Sequence, residues 1–175
     1  MRIAMLAVAA AFLVFVPAQA GTYTSDQLGF SAEFPIDPEV GTPQASETDA
    51  KGKAIANSVI VQARVLGMWN AMVTVDSYIR PAKIDAATTL AAMPKLFVGQ
   101  LDGTLTSSKA GKVDGKPARF FSYTTKDKSS SGKGIAIVVA GAKPRTYLVL
   151  TSATSMASAE NNADLEKFLA SFHVK

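Results

Sequence analysis

The chain has one histidine and no cysteine, and these two counts limit the chemistry that its side chains can perform. A Ser-His-Asp triad would have to use His173, which lies close to the C-terminus, directly after a predicted helix. The C-terminal end of a helix carries a partial negative charge that suits a positively charged side chain. We therefore expect His173 to cap that helix or to lie in solvent. No catalytic motif is present, and we predict that the protein is not an enzyme.

The acidic residues offer the only candidates for a metal site. A chain with no cysteine and one histidine leaves only oxygen ligands, which suit calcium or magnesium. The densest pairs are Asp37 with Glu39 and Glu47 with Asp49, and neither has the spacing of a calcium-binding loop. The Gly-Lys-Gly run at 132–134 lacks the residue order of a phosphate-binding loop. We predict no metal and no cofactor.

Basic side chains are concentrated in the segment 109–145, which holds nine Lys and Arg residues against two Asp residues. The rest of the chain after residue 20 holds eight basic and twelve acidic residues. Such asymmetry attracts anionic partners, whereas no interleaved aromatic and basic residues indicate nucleic-acid binding. The alternative is a solvated sheet face whose lysines keep edge strands from aggregating. The candidate interaction surface comprises Lys109, Lys112, Lys116, Arg119, Lys143 and Arg145, together with Trp69.

Two arginines and one tryptophan define this surface more closely. If Arg119 and Arg145 lie on paired strands, they form a clamp for a carboxylate or a phosphate. Structural ion pairs with Asp or Glu are the alternative role for both. Trp69 follows Met68 at the predicted tip of a hairpin, where an apolar pair marks a docking surface or folds back as a lid on the core.

Residues 1–20 have the pattern of a secretory signal peptide. One positive charge at Arg2 precedes an apolar run from Ile3 to Pro17, and Ala18-Gln19-Ala20 forms a small-x-small cleavage site. We predict cleavage after Ala20 and a periplasmic or secreted bacterial protein. Gly21 stands where a lipoprotein would have cysteine, so we expect no lipid anchor. No other apolar run is long enough to predict a transmembrane anchor.

Alternating apolar residues predict strands along most of the chain. A strand over 28–34 ends at Pro35, and a hairpin hinged at Gly67 is expected from the runs 55–66 and 68–79. The Pro-, Gly- and Ser-rich residues 36–53 predict a mobile surface loop. Tight turns such as Asp114-Gly115 join four further predicted strands, at 104–113, 116–126, 133–142 and 145–152. The third of these is apolar on both sides, which predicts a central strand covered on both faces.

Two helices complete the predicted domain. Asp85 is a suitable N-cap for a helix that ends near Gly103, and Pro94 inside it predicts a kink or two short helices. An apolar stripe predicts a second helix over 158–172. The order strand, hairpin, helix, meander, helix predicts a single α+β domain over 21–175, with an antiparallel meander sheet sandwiched by helices.

Four short motifs in this order resemble those of the PsbP-like α/β/α superfamily. They are the opening strand Leu28–Pro35, the Gly-x-Pro-small turn of Gly115–Arg119, the Arg-x-Tyr strand Arg145–Leu150 and the closing helix end Phe168–Phe172. The resemblance implies the fold, and its closest counterparts are small exported bacterial proteins of undefined role. It transfers no activity to this chain, because a shared fold hosts many functions.

These observations predict an exported, soluble, non-enzymatic binding or accessory protein of the bacterial cell envelope. Its partner would be an envelope protein or an anionic envelope polymer. Two alternatives remain open. One is an envelope hydrolase with carboxylate chemistry, which requires a cleft with converging polar side chains. The other is a small-molecule carrier, which requires an apolar cavity of several hundred Å³.

Overall fold

The computed structural model describes residues 21–175, and the predicted signal peptide and its cleavage site lie outside them. The described chain forms two sheets and two helices. The elements are β1 (Thr22–Ser25), β2 (Phe30–Glu33), β3 (Glu39–Val40), β4 (Gln44–Thr48), β5 (Ala54–Val65), β6 (Trp69–Tyr78), α1 (Ala86–Gln100), β7 (Thr104–Val113), β8 (Lys116–Thr124), β9 (Ser130–Val139), β10 (Arg145–Thr154), α2 (Ala159–Ala170) and β11 (His173–Val174).

The large sheet is antiparallel and has the strand order β3-β5-β6-β10-β9-β8-β7, with β4 also paired to β5. Strands β7 to β10 form the predicted meander, and the predicted β5–β6 hairpin adds to it beside β10. Gly67 has φ +76° in the turn of that hairpin. Asp114 and Gly115 both have positive φ in the β7–β8 turn, as the two-residue hairpin turn requires.

Strand β9 lies inside the large sheet and is covered on both faces, as predicted. Ile135 and Ile137 join the core that includes Leu165 and Phe168 of α2. The intervening Ala136 and Val138 pack against Leu90 of α1. Because side chains alternate between the two faces of a strand, the two helices lie on opposite faces of the sheet. The predicted α+β fold, an antiparallel sheet between helices, is confirmed.

Both helices begin at capped residues. The Asp85 side chain accepts a hydrogen bond from the backbone N–H of Thr88, and Ser158 forms a capping box with Asn161. Helix α1 runs without a break through Pro94, so the alternative of two short helices is wrong. Pro94 is among the fully buried side chains. Its packing against the sheet offsets the hydrogen bond that a proline cannot donate.

Two segments differ from the sequence-based expectation. Residues 36–53 contain the short strands β3 and β4, which pair with β5 along one edge of the large sheet. The predicted surface loop is therefore wrong in its secondary structure, although both strands are fully exposed, which explains their polar composition. The opening strand β2 belongs to a separate sheet of order β1-β2-β11, whose third strand was not predicted.

Candidate binding surfaces

Two neighbouring turns carry exposed lysines at one end of the large sheet. The β7–β8 turn is flanked by Lys112 and Lys116, and the β9–β10 turn contains Lys143. Because β8 pairs with β9, the two turns are separated by about two strand spacings, roughly 10 Å. Ala82 donates a backbone hydrogen bond to Ala142, which brings Lys83 to the same end. We call Lys83, Lys112, Lys116 and Lys143 the basic end of the sheet.

Arg145 lies beside this basic end, on the same sheet face as Lys116. Ala118 pairs with Ile137, and Arg145 pairs with Val139, two residues further along β9. Lys116 is two residues from Ala118, so it lies level with Arg145 on the other side of Val139. Because side chains alternate between the two faces of a strand, the side chains of Lys116 and Arg145 lie on one face, with their backbones about 10 Å apart.

The guanidinium of Arg145 is committed to a structural contact. Its two terminal nitrogens donate to the hydroxyl of Tyr147 at 3.3 Å and to the carbonyl of Gln27 at 3.2 Å. Tyr147 is 1 % exposed, and its hydroxyl donates to the carbonyl of Leu28 at 3.0 Å. Gly29, with φ +69°, leaves the space that the Arg145 guanidinium occupies. Arg145 therefore joins the two sheets, a role that neither the anion clamp nor an Asp or Glu ion pair anticipated.

The acidic residue at the basic end, Asp114, is also occupied within the chain. Its carboxylate accepts from the backbone N–H of Val174 at 2.8 Å and lies 3.1 Å from the Nδ1 atom of His173. The hydrogen bond from Val174 is the main cause that lowers the pKa of the Asp114 carboxyl. These contacts tie the β7–β8 turn to the C-terminal strand. His173 lies in β11, beyond the C-cap Ser171, so the predicted helix cap is wrong, and the ring is exposed.

Arg119 does not join Arg145. Arg119 pairs with Ala136, whose side chain packs on α1, so Arg119 points to the face opposite that of Arg145. Strand β9 also separates the two strands that carry them. The predicted clamp of Arg119 and Arg145 is therefore wrong, because the parity of the strands places the side chains on different faces. Arg119 donates to the hydroxyl of Ser108 at 3.1 Å, and its Nε atom is buried without a partner.

The remaining basic residues of the segment 109–145 are dispersed over the molecule. Lys109 lies in the middle of the edge strand β7. Lys126 and Lys128 lie in the turn before β9, at the end of the sheet opposite to the basic end. Lys133 forms an ion pair with Glu166 of α2 at 2.6 Å. The segment is continuous in sequence and does not form one surface patch.

Trp69 is not part of an exposed surface. It is 7 % exposed and belongs to the core, with Met68 half-buried against it. It also lies at the opposite end of the sheet, because β6 begins where β10 ends. The prediction that Trp69 belongs to an interaction surface is therefore wrong. The structure shows the alternative, in which Trp69 folds back onto the core. Leu66, at 82 % exposed, is the apolar side chain that the hairpin tip leaves in solvent.

The two acidic pairs lie on the edge formed by β3 and β4. Glu47 accepts from the hydroxyl of Tyr78 at 2.8 Å, and burial together with this contact raises the pKa of Tyr78 to about 12. Asp49 accepts from Arg80 at 3.0 Å and from two backbone N–H groups of the following turn. No group of three or more metal-ligating side chains occurs within residues 21–175.

An apolar groove that the sequence did not indicate lies between α2 and strands β7 and β8. Its volume is about 410 Å³, and it is lined chiefly by Phe120, Ile135, Leu169 and Ala170, with Lys109 and Glu166 at its margin. Helix α2 packs mainly against β10, β6 and β2, so the middle of β8 is only partly covered on this face. Phe120 is 38 % exposed as a result. The sequence of β8 did not indicate this groove, because Phe120 and Phe121 are adjacent and their pattern does not show which of the two is buried.

The described chain has the PsbP-like fold. Its antiparallel sheet lies between two helices, and the opening Gly-Phe strand is joined to the Arg-x-Tyr strand. The cyanobacterial PsbP protein (CyanoP) of Synechocystis sp. PCC 6803 is similar in structure, with a TM-score of 0.58 at 13% identity over 97% of this chain and 99% of that chain. LpqN of Mycobacterium tuberculosis, a protein involved in cell envelope biogenesis, has a TM-score of 0.53 at 12% identity over 83% of each chain.

The predicted PsbP-like fold is thus confirmed, and identities this low carry the fold alone. No protein-family model matches the chain, and no curated protein matches it by sequence. Within residues 21–175, neither helix has the length and apolar character needed to cross a membrane.

Proposed function

We propose that the protein is an exported, non-catalytic accessory protein of the bacterial cell envelope that binds an anionic envelope polymer through the basic end of its sheet. The observation that carries this proposal is the placement of Lys112, Lys116 and Lys143 on two adjacent turns at one end of the sheet. Asp114, the acidic residue between them, is engaged by Val174 and His173. An export signal in the sequence and an envelope-associated structural neighbour, LpqN, support the compartment.

The alternative explanation of the lysines applies to a different part of the molecule. Lys109 and Lys112 lie on the edge strand β7, where lysine opposes edge-to-edge aggregation. Lys116 and Lys143 flank turns at the end of the sheet and do not protect an edge. Binding that depends on these two residues therefore separates the two explanations.

The test compares two triple variants with the same change in charge. Lys83→Gln, Lys116→Gln and Lys143→Gln remove three charges from the basic end and leave the edge lysines Lys109 and Lys112 in place. Lys95→Gln, Lys126→Gln and Lys128→Gln remove three exposed charges, two of them in the turn at the opposite end of the sheet. Binding is measured to polygalacturonate and to phosphatidylcholine vesicles with and without phosphatidylglycerol.

At about 1 kcal/mol for each lysine near an anionic surface, the first variant should bind roughly 100-fold more weakly. The second variant should bind almost as the unchanged protein does. Binding should disappear at about 1 M salt, where the Debye length is about 3 Å. Equal losses in both variants, or binding that salt does not weaken, would exclude the basic end as the site. Binding to anionic vesicles without binding to polygalacturonate would show that the partner is a lipid surface and not a polymer.

A further inference from the structure

Strand β7 leaves one edge of the large sheet unpaired. It is ten residues long, and within residues 21–175 it pairs only with β8. Its residues are exposed except for Leu105 and Val113, which are half-buried. In an antiparallel ladder, alternate residues of an edge strand direct their N–H and C=O groups away from the partner strand. The edge therefore offers a row of free backbone groups that another extended polypeptide matches.

The side chains of β7 leave this edge accessible. Thr, Ser, Ala and Gly occupy most of its central positions. At Gly111 a Cβ atom would lie 2.7 Å from the ring of Phe120, so the ring leans over the glycine toward the open edge. The opposite edge of the sheet is less regular, because β3 and β4 are separate strands and β4 has register shifts against β5. Strand β7 has one register shift, close to its N-terminal end.

The apolar groove of about 410 Å³ lies directly beside this edge. Ser107 and Lys109 belong to the same face as Phe120, because Lys109 pairs with Phe120. A strand added to β7 would place every second side chain on this face. A long apolar side chain opposite Ser107 would lie two strand spacings from β8, roughly 10 Å, and would reach over the small serine toward the Phe120 ring, which leans to the open edge.

We propose that β7 and the adjoining groove bind an extended polypeptide segment of a partner protein. The segment carries a bulky apolar side chain two residues from an acidic one. The unpaired backbone edge selects a polypeptide, because a lipid or a polysaccharide has no alternating N–H and C=O groups. The groove selects the apolar side chain, and Lys109 selects the acidic one by charge. This site is separate from the basic end, and it does not depend on the function proposed above.

A second copy of this chain is a poor occupant of the edge. Antiparallel pairing of two β7 strands that is centred between Lys109 and Lys112 brings these lysines of one copy close to the same residues of the other. Like charges at short cross-strand distances destabilise such a pair. An acidic segment forms the same backbone ladder without this repulsion.

The probe is a labelled, end-capped heptapeptide, Thr-Phe-Thr-Glu-Thr-Val-Thr, which presents its apolar and acidic side chains on one face of a strand. Two further versions carry backbone N-methyl groups, one on the even positions and one on the odd positions. Only alternate N–H groups of an added strand face β7. We expect one methylated version to lose binding and the other to retain it. Equal binding by all three peptides would refute strand addition.

Variants locate the site. Phe120→Ala should weaken binding about tenfold, as is usual for an aromatic anchor of an interface. Ile60→Ala is the matched control, because Ile60 is 42 % exposed on β5, near the far edge of the sheet. Lys109→Glu should weaken binding to a similar degree, and a peptide with Lys in place of its Glu should restore it.

Equal effects of Phe120→Ala and Ile60→Ala would place the peptide elsewhere and overturn the proposal. A dimer of the unchanged protein in sedimentation that the peptide dissociates would show that a second copy occupies the edge and would overturn the proposal. Hydrogen exchange gives an independent readout, because bound peptide should protect alternate amides of β7.

Discussion

The contact between Gly29 and Arg145 gives the sharpest prediction for the fold. Gly29 has φ +69°, and a Cβ atom there would occupy the position of an Arg145 guanidinium nitrogen and lie 3.0 Å from the Tyr147 hydroxyl. Gly29→Ala therefore has two costs. Alanine must adopt a left-handed backbone conformation, and Arg145 must leave its hydrogen-bonded position.

Both costs can be assigned a size. The left-handed conformation costs roughly 1–2 kcal/mol for an L-residue. Arg145 loses its bonds to Tyr147 and to the carbonyl of Gln27, each with a net value of about 0.5–1.5 kcal/mol. The free energy of unfolding should therefore fall by about 2–5 kcal/mol. For a domain of this size the Tm should fall by roughly 6–15 °C.

The assay is urea unfolding followed by circular dichroism, with Gly52→Ala as the matched control. Gly52 has φ +73°, and a Cβ atom there would meet nothing within 4 Å. Gly52→Ala should therefore show the cost of the backbone alone. In an Arg145→Ala background, Gly29→Ala should cost little more than Gly52→Ala does. The reasoning is refuted if Gly29→Ala costs no more than the control, or if its cost is the same with and without Arg145.

Two further predictions concern the turn at the basic end and the packing of Phe121 against β9. The hydrogen bond from β11 lowers the pKa of Asp114. The Asp114 carboxylate therefore stabilises the fold fully above the ordinary Asp pKa near 3.9, and this contribution disappears as the pH falls through the lowered pKa. Asp114→Asn, which keeps the positive φ acceptable, should be destabilising at pH 7 and should approach the unchanged protein in acid-range unfolding curves; a constant difference would contradict this cause. Gly134→Ala should lower the free energy of unfolding by about 1–3 kcal/mol, because its Cβ atom would overlap the ring of Phe121. Thermal unfolding checks this, with Gly99→Ala as the control because a Cβ atom there meets nothing within 4 Å.

Local patterns in the sequence were sufficient for most of the elements. Alternation predicted the β5–β6 hairpin, and the Asp114-Gly115 pair predicted the next hairpin turn, because a two-residue turn depends on its own residues. The cap Asp85 marked the start of α1, and an apolar stripe indicated α2. The motifs around Gly29 and Arg145 indicated the PsbP-like fold, and the structure shows why they occur together.

Properties that depend on distant contacts were missed. Polar composition suggested a loop at 36–53, because two short edge strands on β5 bury no side chain and leave no apolar alternation. The small sheet depends on β11, a two-residue strand whose pairing with β2 joins the two ends of the described chain. A pattern within a few residues carries no information on such a partner.

The amino-acid sequence by itself determined the order of the long strands and the two helices, the hairpin turns and the burial of β9 on both faces, since these follow from neighbouring residues and the period of a strand. Tertiary structure alone decided which basic residues share a surface. It placed Arg119 and Arg145 on opposite faces, Lys116 beside Arg145, and Trp69 in the core at the far end. Within residues 21–175, it also left the outer edge of β7 without a partner strand, next to an apolar groove. The physical reason is that strand pairing and helix placement are set by the whole core, so no single segment specifies what it will face.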